Sequence, residues 1–190
     1  MPKVGMEPIR REALVKATIA EVGAAGSLDV TVSQIARRAG MSSALAHHYF
    51  GGKEQIFVAA MRRILSDFGE EVRAGLARAT EGRRAEAIVR ACFAPSCFTP
   101  DVISAWMTFY VMAQTHPDAL RLWRIYQNRI RANLTHALRG RTDRPVELAA
   151  TLAALIDGLY IRAALHEPEI PERATVHALD VLANLTGGRK

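Results

Sequence analysis

Six aromatic residues in the second half of the chain, Trp106, Phe109, Tyr110, Trp123, Tyr126 and Tyr160, are joined by one acid, Asp157, that interrupts an apolar stretch three residues before Tyr160. Within each group the spacing is three or four, which puts side chains on a shared helical face. Ring faces attract cations by about 0.5 to 2 kcal/mol each, quaternary ammonium groups above all, and a nearby carboxylate balances the charge. The chemistry on offer is therefore capture of a small organic cation. Three ring contacts at ~1.5 kcal/mol would give ~4.5 kcal/mol, a dissociation constant near 1 mM. The same residues also read as ordinary core, with Asp157 paired to an arginine such as Arg129 or Arg162.

A second constellation, TVSQIARRAGMSSALAHHYF from Thr31 to Phe50, has the chemistry of DNA recognition. Thr31 and Gln34 stand in the capping-box relation, so a helix is expected to open at Val32. Ile35, Ala36 and Ala39 give it one apolar stripe, leaving Gln34, Arg37 and Arg38 outside. Gly40 permits a sharp turn, Met41 anchors it, and Ser42 caps a second helix over about Ser43 to Tyr49. Two short helices about a glycine turn form a helix-turn-helix, whose second helix enters the major groove. Its candidate contacts are Ser43, Ala44, Leu45, His47 and His48. These offer little of the Arg, Asn or Gln that makes bidentate base contacts, so readout by small side chains, water and DNA shape is expected. Tyr49 and Lys53 bracket the next glycine turn as phosphate contacts, and Thr31 and Ser42 can share their capping hydroxyls with phosphates. Arg10 and Arg11 are suited equally to phosphate contact and to a solvated helix start.

The elements that must position these groups read as helices throughout, giving an all-α chain. Helix one is expected over Pro8 to Ala25, packing through Leu14, Ala17, Ile19, Ala20 and Val22. From Lys53 a helical pattern runs through Phe57, Met61, Ile64, Leu65, Phe68, Val72 and Leu76, nearly 40 Å, long enough to touch both constellations. Further helices are expected near 84–94, 100–115, 117–138, 145–165 and 171–185, with Pro100, Pro117, Pro145 and Pro171 as starts because proline at a first turn sacrifices no hydrogen bond. The division expected is a DNA-binding unit over 1–52 and a helical effector and dimerisation unit over 53–190.

The segments TVSQIARRAG and MSSALAHHYFGGKEQIF resemble the DNA-binding signature of the TetR family of bacterial regulators. Ala44 stands where that family usually has Gly and His47 where it usually has an aromatic, departures that bear on operator sequence rather than fold. The blocks MPKVGMEPIRR, AWMTFYVMAQTHP and LAALIDGLYIRAAL are similar to the BetI subgroup, the choline-responsive repressors of glycine betaine synthesis. The resemblance implies about nine helices, phosphate contacts from Tyr49 and Lys53, and a homodimer paired through its last two helices on a near-palindromic operator. It also implies a repressor released by choline or a related quaternary ammonium. Apolar stripes of Leu148, Leu152, Leu155, Ile156 and Leu159, then Val176, Leu179, Leu182 and Leu185, allow that pairing, although part of them must form the core of the single chain.

Charge agrees in place: residues 1–66 hold nine Lys or Arg against five acids, most of the formal +6. A basic face suits phosphate attraction. Met1 to Arg11 carries charges and proline rather than an apolar run, so a cytoplasmic protein is expected. No stretch is long enough for a bilayer, no membrane partner is expected, and Cys92 and Cys97 are expected to be reduced core or pocket residues. No Cys/His cluster suggests a metal, GGKE lacks the spacing of a phosphate loop, and no cofactor or catalytic residue is expected. G-x-S-x-G and dinucleotide motifs are missing, which lowers the rival reading of a small helical enzyme. Other rivals are a regulator of the same type with another hydrophobic or cationic ligand, and a non-specific DNA-binding protein.

Overall fold

The computed structural model describes residues 5–27, 29–165 and 171–187; the first four residues of the MPKVGMEPIRR block lie outside them. Among the described residues the chain forms nine α-helices. They are α1 (Met6–Ala25), α2 (Val32–Arg38), α3 (Ser43–Phe50), α4 (Lys53–Arg78), α5 (Arg84–Cys92), α6 (Pro100–Ala113), α7 (Pro117–Leu138), α8 (Pro145–Ala164) and α9 (Pro171–Gly187), with one 3-10 turn at Glu81–Arg83.

The four proline starts hold, and α6 is further capped by Thr99, whose hydroxyl accepts from the Val102 amide. Helix α1 opens at Met6, two residues before the expected Pro8, because a first-turn amide has no intrahelical partner and proline is harmless there. Helices α5 and α6 each stop two residues early. The chain after α5 folds back, with Cys97 and Phe98 amides both donating to the Ala94 carbonyl, and α6 ends in tightened i to i+3 bonds from Gln114 and Thr115.

Helices α1 to α3 pack on the first half of α4 through Leu14, Val22, Ile35, Ala36, Ala46, Ile56, Phe57 and Met61, all essentially without solvent exposure. Of the residues expected inside α1, Leu14, Ala17 and Val22 are buried, whereas Ile19 and Ala20 are half-buried. Val15 and Thr18 are buried as well, the Thr18 hydroxyl satisfied by the Leu14 carbonyl at 2.8 Å. The core continues without a break into α5 to α9, around Phe109, Ile130, Leu134, Leu152 and Ile156. Helix α6 is buried over most of its circumference and lies against α1, α4, α7 and α8. Its contact with α1 is closest at Gly23, where a Cβ would fall 2.6 Å from the Asp101 Cα, closer than side chains pack.

One partly buried ion pair ties α5 to the turn after α7: Arg141 forks onto both oxygens of Glu86 at 2.8 and 3.1 Å. Burial pushes the Glu86 carboxyl up, but the Arg141 hydrogen bond, the residue's own backbone amide and the charges of Arg141 and Arg83 outweigh it and hold it below the ordinary 4.5. A depressed folded-state value means the pair stabilises the fold above about pH 4.5 and loses that contribution as pH falls through the folded value. Arg141→Ala is therefore expected to cost about 2 kcal/mol at pH 7, less than the ~3 to 5 kcal/mol of a fully buried pair, with the deficit shrinking in acid. Urea unfolding of both proteins at pH 7 and pH 4 checks this; an equal deficit at both would assign the loss to packing.

Candidate DNA-reading face and internal aromatic site

The Thr31–Phe50 constellation folds as its local chemistry requires. Thr31, in extended backbone, accepts the Gln34 amide on its hydroxyl at 3.1 Å while Gln34 Oε1 accepts the Thr31 amide at 2.6 Å, closing the capping box. Gly40 takes a φ of 68°, a left-handed turn that side-chain-bearing residues resist, and the Met41 amide bonds back to the Ala36 carbonyl. Ser42 caps α3 by accepting the Leu45 amide at 3.2 Å. Across the turn the Ser43 hydroxyl donates to the Ser33 hydroxyl at 2.8 Å, linking the two helices.

The outer face of α3 presents Ala44, His47 and His48, with Ser42 at its start; Ser43, Leu45 and Tyr49 are half-buried and Ala46 is fully buried against the core. His47 Nδ1 lies 3.1 Å from the Gly51 carbonyl, which requires the proton on Nδ1 and directs Nε2 outward. Lys53 opens α4 directly after the Gly51-Gly52 turn. What the sequence left undecided is the role of the two arginines at the start of α1. Arg10 Nη1 donates to the Tyr49 hydroxyl at 3.4 Å, and the Arg11 guanidinium lies over the Tyr49 and Phe50 rings at 5.6 and 5.0 Å. They brace the end of α3 rather than trailing in solvent.

The aromatic constellation also assembles, with one exception. Trp106 is its centre, with ring centroids 4.7 Å from Tyr126, 5.7 Å from Phe109, 5.8 Å from Tyr110 and 6.2 Å from Tyr160. Phe68 of α4 meets the edge of Tyr126, and Phe93 and Phe98 pack on Tyr160. Trp123 makes no such ring contact: it is half-buried beside the core, one turn before Tyr126, and its indole N–H is buried without a partner among the described residues. Rings on one helical face lie at different heights along the axis, so shared face did not guarantee shared cluster.

Asp157 receives the Tyr110 hydroxyl on Oδ1 at 2.9 Å and the Gln127 amide on Oδ2 at 3.0 Å. Two neutral donors hold this carboxylate, in place of the Arg129 or Arg162 partner that the core reading supposed. Burial pushes its carboxyl above the usual aspartate range, only partly countered by those two bonds. The Tyr160 hydroxyl lies 2.6 and 3.0 Å from the Cys92 and Cys97 carbonyls, within donating distance of both. Both thiols are free and buried; burial pushes Cys92 up strongly and Cys97 up to about 11, which keeps them protonated and unreactive.

Between these groups lies an enclosed cavity of about 10 Å³ lined by Ile64, Phe68, Cys92, Cys97, Trp106, Tyr126 and Tyr160, room for roughly one water. Phe68, Phe93, Phe98 and Gln127 were not anticipated as members of the site. Gln127 carried a usable signal, a polar residue adjoining Tyr126 on a face of α7 that turns inward; Phe93 and Phe98 arrive only through the fold-back after α5.

Residues 14–60 match the family described as bacterial regulatory proteins, tetR family, and residues 81–187 match the one described as BetI-type transcriptional repressor, C-terminal. The HTH-type transcriptional regulator BetI of Brucella anthropi is 48% identical over 182 residues, covering 94% of this chain and 93% of that protein. The regulator of the same name from Rhizobium meliloti is 45% identical over 179 residues, covering 93% and 88%. Among solved structures, a transcriptional regulator from Saccharomonospora viridis in complex with choline superposes with a TM-score of 0.78 at 22% identity, covering 90% of this chain and 94% of that one.

Proposed function

This chain belongs to the TetR family and carries a BetI-type C-terminal domain, a regulator of transcription rather than an enzyme, and from that premise we propose that it is a homodimeric repressor of glycine betaine synthesis released from its operator by choline. Residues 1–52 form the DNA-binding unit and 53–190 the effector and dimerisation unit. Ser43, Ala44, Leu45, His47 and His48 face the major groove, while Thr31, Ser42, Tyr49 and Lys53 take the flanking phosphates. Arg10 and Arg11 hold Tyr49 in place for that contact.

The observation that carries the effector assignment is Asp157, a half-buried carboxylate held by neutral donors beside a cluster of rings. A quaternary ammonium gives that charge a counterion and gives the rings a cation, without demanding hydrogen bonds from either. Choline bound to another TetR-fold regulator supports the choice of ligand. The cavity of about 10 Å³ cannot admit it as it stands, since a benzene-sized guest needs on the order of 150 Å³. Entry of choline must therefore part Trp106 from Tyr126, displacing α6 against α7. Exposed Val146 and Ile161 on α8 and Val176 and Leu185 on α9 supply the apolar face of the dimer.

Titration of the purified protein onto DNA from its own upstream region, and onto scrambled DNA, at physiological salt tests the whole reading. Preference for the upstream DNA, two chains per site, and a fall in affinity of at least fivefold with millimolar choline are expected, since useful coupling is ~1 to 3 kcal/mol. Specific binding indifferent to choline would discard this effector, and a melting panel of other amines and hydrophobic compounds would then find the replacement.

A further inference from the structure

Among the described residues two buried side-chain polar atoms are left without a hydrogen-bond partner, His116 Nδ1 and Trp123 Nε1. The first has a local account. His116, at the start of α7, places Nε2 3.2 Å from a carboxylate oxygen of Glu54, so Nε2 carries the proton and Nδ1 is left with only a lone pair. The second has none. An indole N–H is a donor and nothing else, and when buried it ordinarily finds an acceptor, because an unpaired one loses the hydrogen bond that water gives it in the unfolded chain. Helix α7 turns Trp123, Tyr126, Gln127 and Ile130 inward, at the spacing of a single helical face. On that face Tyr126 meets Trp106 at 4.7 Å, and the Gln127 amide donates to Asp157 at 3.0 Å. Trp123 stands one turn before Gln127, with about 5 to 6 Å between their Cβ atoms. The unpaired donor therefore lies one helical turn from the carboxylate and rings, along the face of α7 from which α6 parts to admit a ligand.

We infer that the Trp123 indole N–H reads the hydroxyl group of the effector, so that the site prefers hydroxyl-bearing quaternary ammonium ions to those whose arm ends in a methyl group. With the ammonium held between Asp157 and the rings, the two-carbon arm of choline spans the step along α7, and its hydroxyl oxygen accepts from Nε1. This role differs from that of Trp106. Ring faces decide how tightly a cation is held, whereas the indole N–H decides which cation. A site built to hydrogen-bond a hydroxyl discriminates against the analogue lacking it, since the donor then stays unpaired in the complex as in the free protein. One neutral hydrogen bond corresponds to about fivefold in affinity. The inference rests on the reading of the Asp157 site as an ammonium site.

The test compares choline with propyltrimethylammonium, in which a methyl group replaces the hydroxyl, by calorimetric titration of the full chain. The parent is expected to bind choline about fivefold more tightly, although the analogue is the more apolar ion. Trp123→Phe keeps an aromatic ring and deletes the donor. Its preference is expected to fall below about twofold, with choline weakened about fivefold and the analogue by less than about twofold. Trp106→Phe is expected to weaken both ions together and to leave the preference of about fivefold in place. A second reading comes from the parent protein alone and needs no substitution at position 123. The chain holds two tryptophans, Trp106 and Trp123, so its proton NMR spectrum carries two indole N–H signals, which Trp106→Phe assigns. Choline is expected to move the Trp123 signal downfield and slow its exchange with solvent, and propyltrimethylammonium to do neither. Equal affinities in the parent, a preference that survives Trp123→Phe, or a Trp123 signal indifferent to bound choline overturns the inference and leaves the ammonium site standing. Binding of neither ion overturns the ammonium site, and the role of Trp123 with it.

Discussion

Asp157→Asn is expected to raise the melting temperature of the unliganded protein and to remove its stabilisation by choline, two changes of opposite value to the cell. The first follows from the sign of the titration. Burial raises the Asp157 carboxyl above its ordinary 3.8, so the unfolded chain gives up the proton more readily than the folded one. The group is neutral in both states in strong acid and costs nothing there; as pH rises past about 3.8 the ionised form increasingly favours unfolding, and the penalty is complete once pH exceeds the folded value. Asparagine removes the charge. It can accept from Tyr110 or Gln127 but not both, which gives back part of the gain, so the net effect is about +1 kcal/mol, or ~3 °C at this chain length.

The second change follows because the same charge is what a quaternary ammonium ion finds in the site. Its loss should weaken choline by about 2 kcal/mol, roughly 30-fold, and erase the melting shift at millimolar choline. Calorimetric titration and thermal melts with and without choline measure both. A lower melting temperature together with an unchanged choline shift would make Asp157 a purely structural carboxylate. Trp123→Ala, off the ring cluster, should weaken choline less than Trp106→Ala in the same experiment.

Ala44→Glu is expected to lower affinity for the upstream DNA by 100-fold or more while leaving the fold intact. Ala44 is exposed in the first turn of α3, where a recognition helix comes nearest the bases, and glutamate is a good helix former. Stability therefore changes little. The carboxylate, however, meets the phosphate field of the groove, and a like charge across an interface costs several kcal/mol. Ala132→Glu, on the exposed face of α7, adds the same charge far from α3 and should cost less than about threefold. Fluorescence anisotropy at fixed salt separates them. Equal losses would make the effect one of net charge, and no loss at Ala44 would remove α3 from the DNA.

Much of this molecule was legible in its sequence because the signals are local. The capping box at Thr31 and Gln34, the Ser42 cap, the glycine at the turn and four prolines at helix starts act within one or two turns of chain, so their consequences do not depend on what packs nearby. The periodicity of α7 likewise declared its inner face. What periodicity leaves open is which inner faces meet and at what height. Trp106, Tyr110, Tyr126 and Tyr160 converge and Trp123 does not, although all were on suitable faces. The carboxylate at Asp157 found Tyr110 and Gln127, separated from it by 47 and 30 residues, instead of an arginine. Arg10 and Arg11 found the end of α3, and Gly23 proved to be a helix-packing position although nothing in its own helix calls for glycine. These are decided by the docking of whole helices, where the burial of many side chains outweighs the preference of any one, and a local pattern carries no information about the helix that will lie across it.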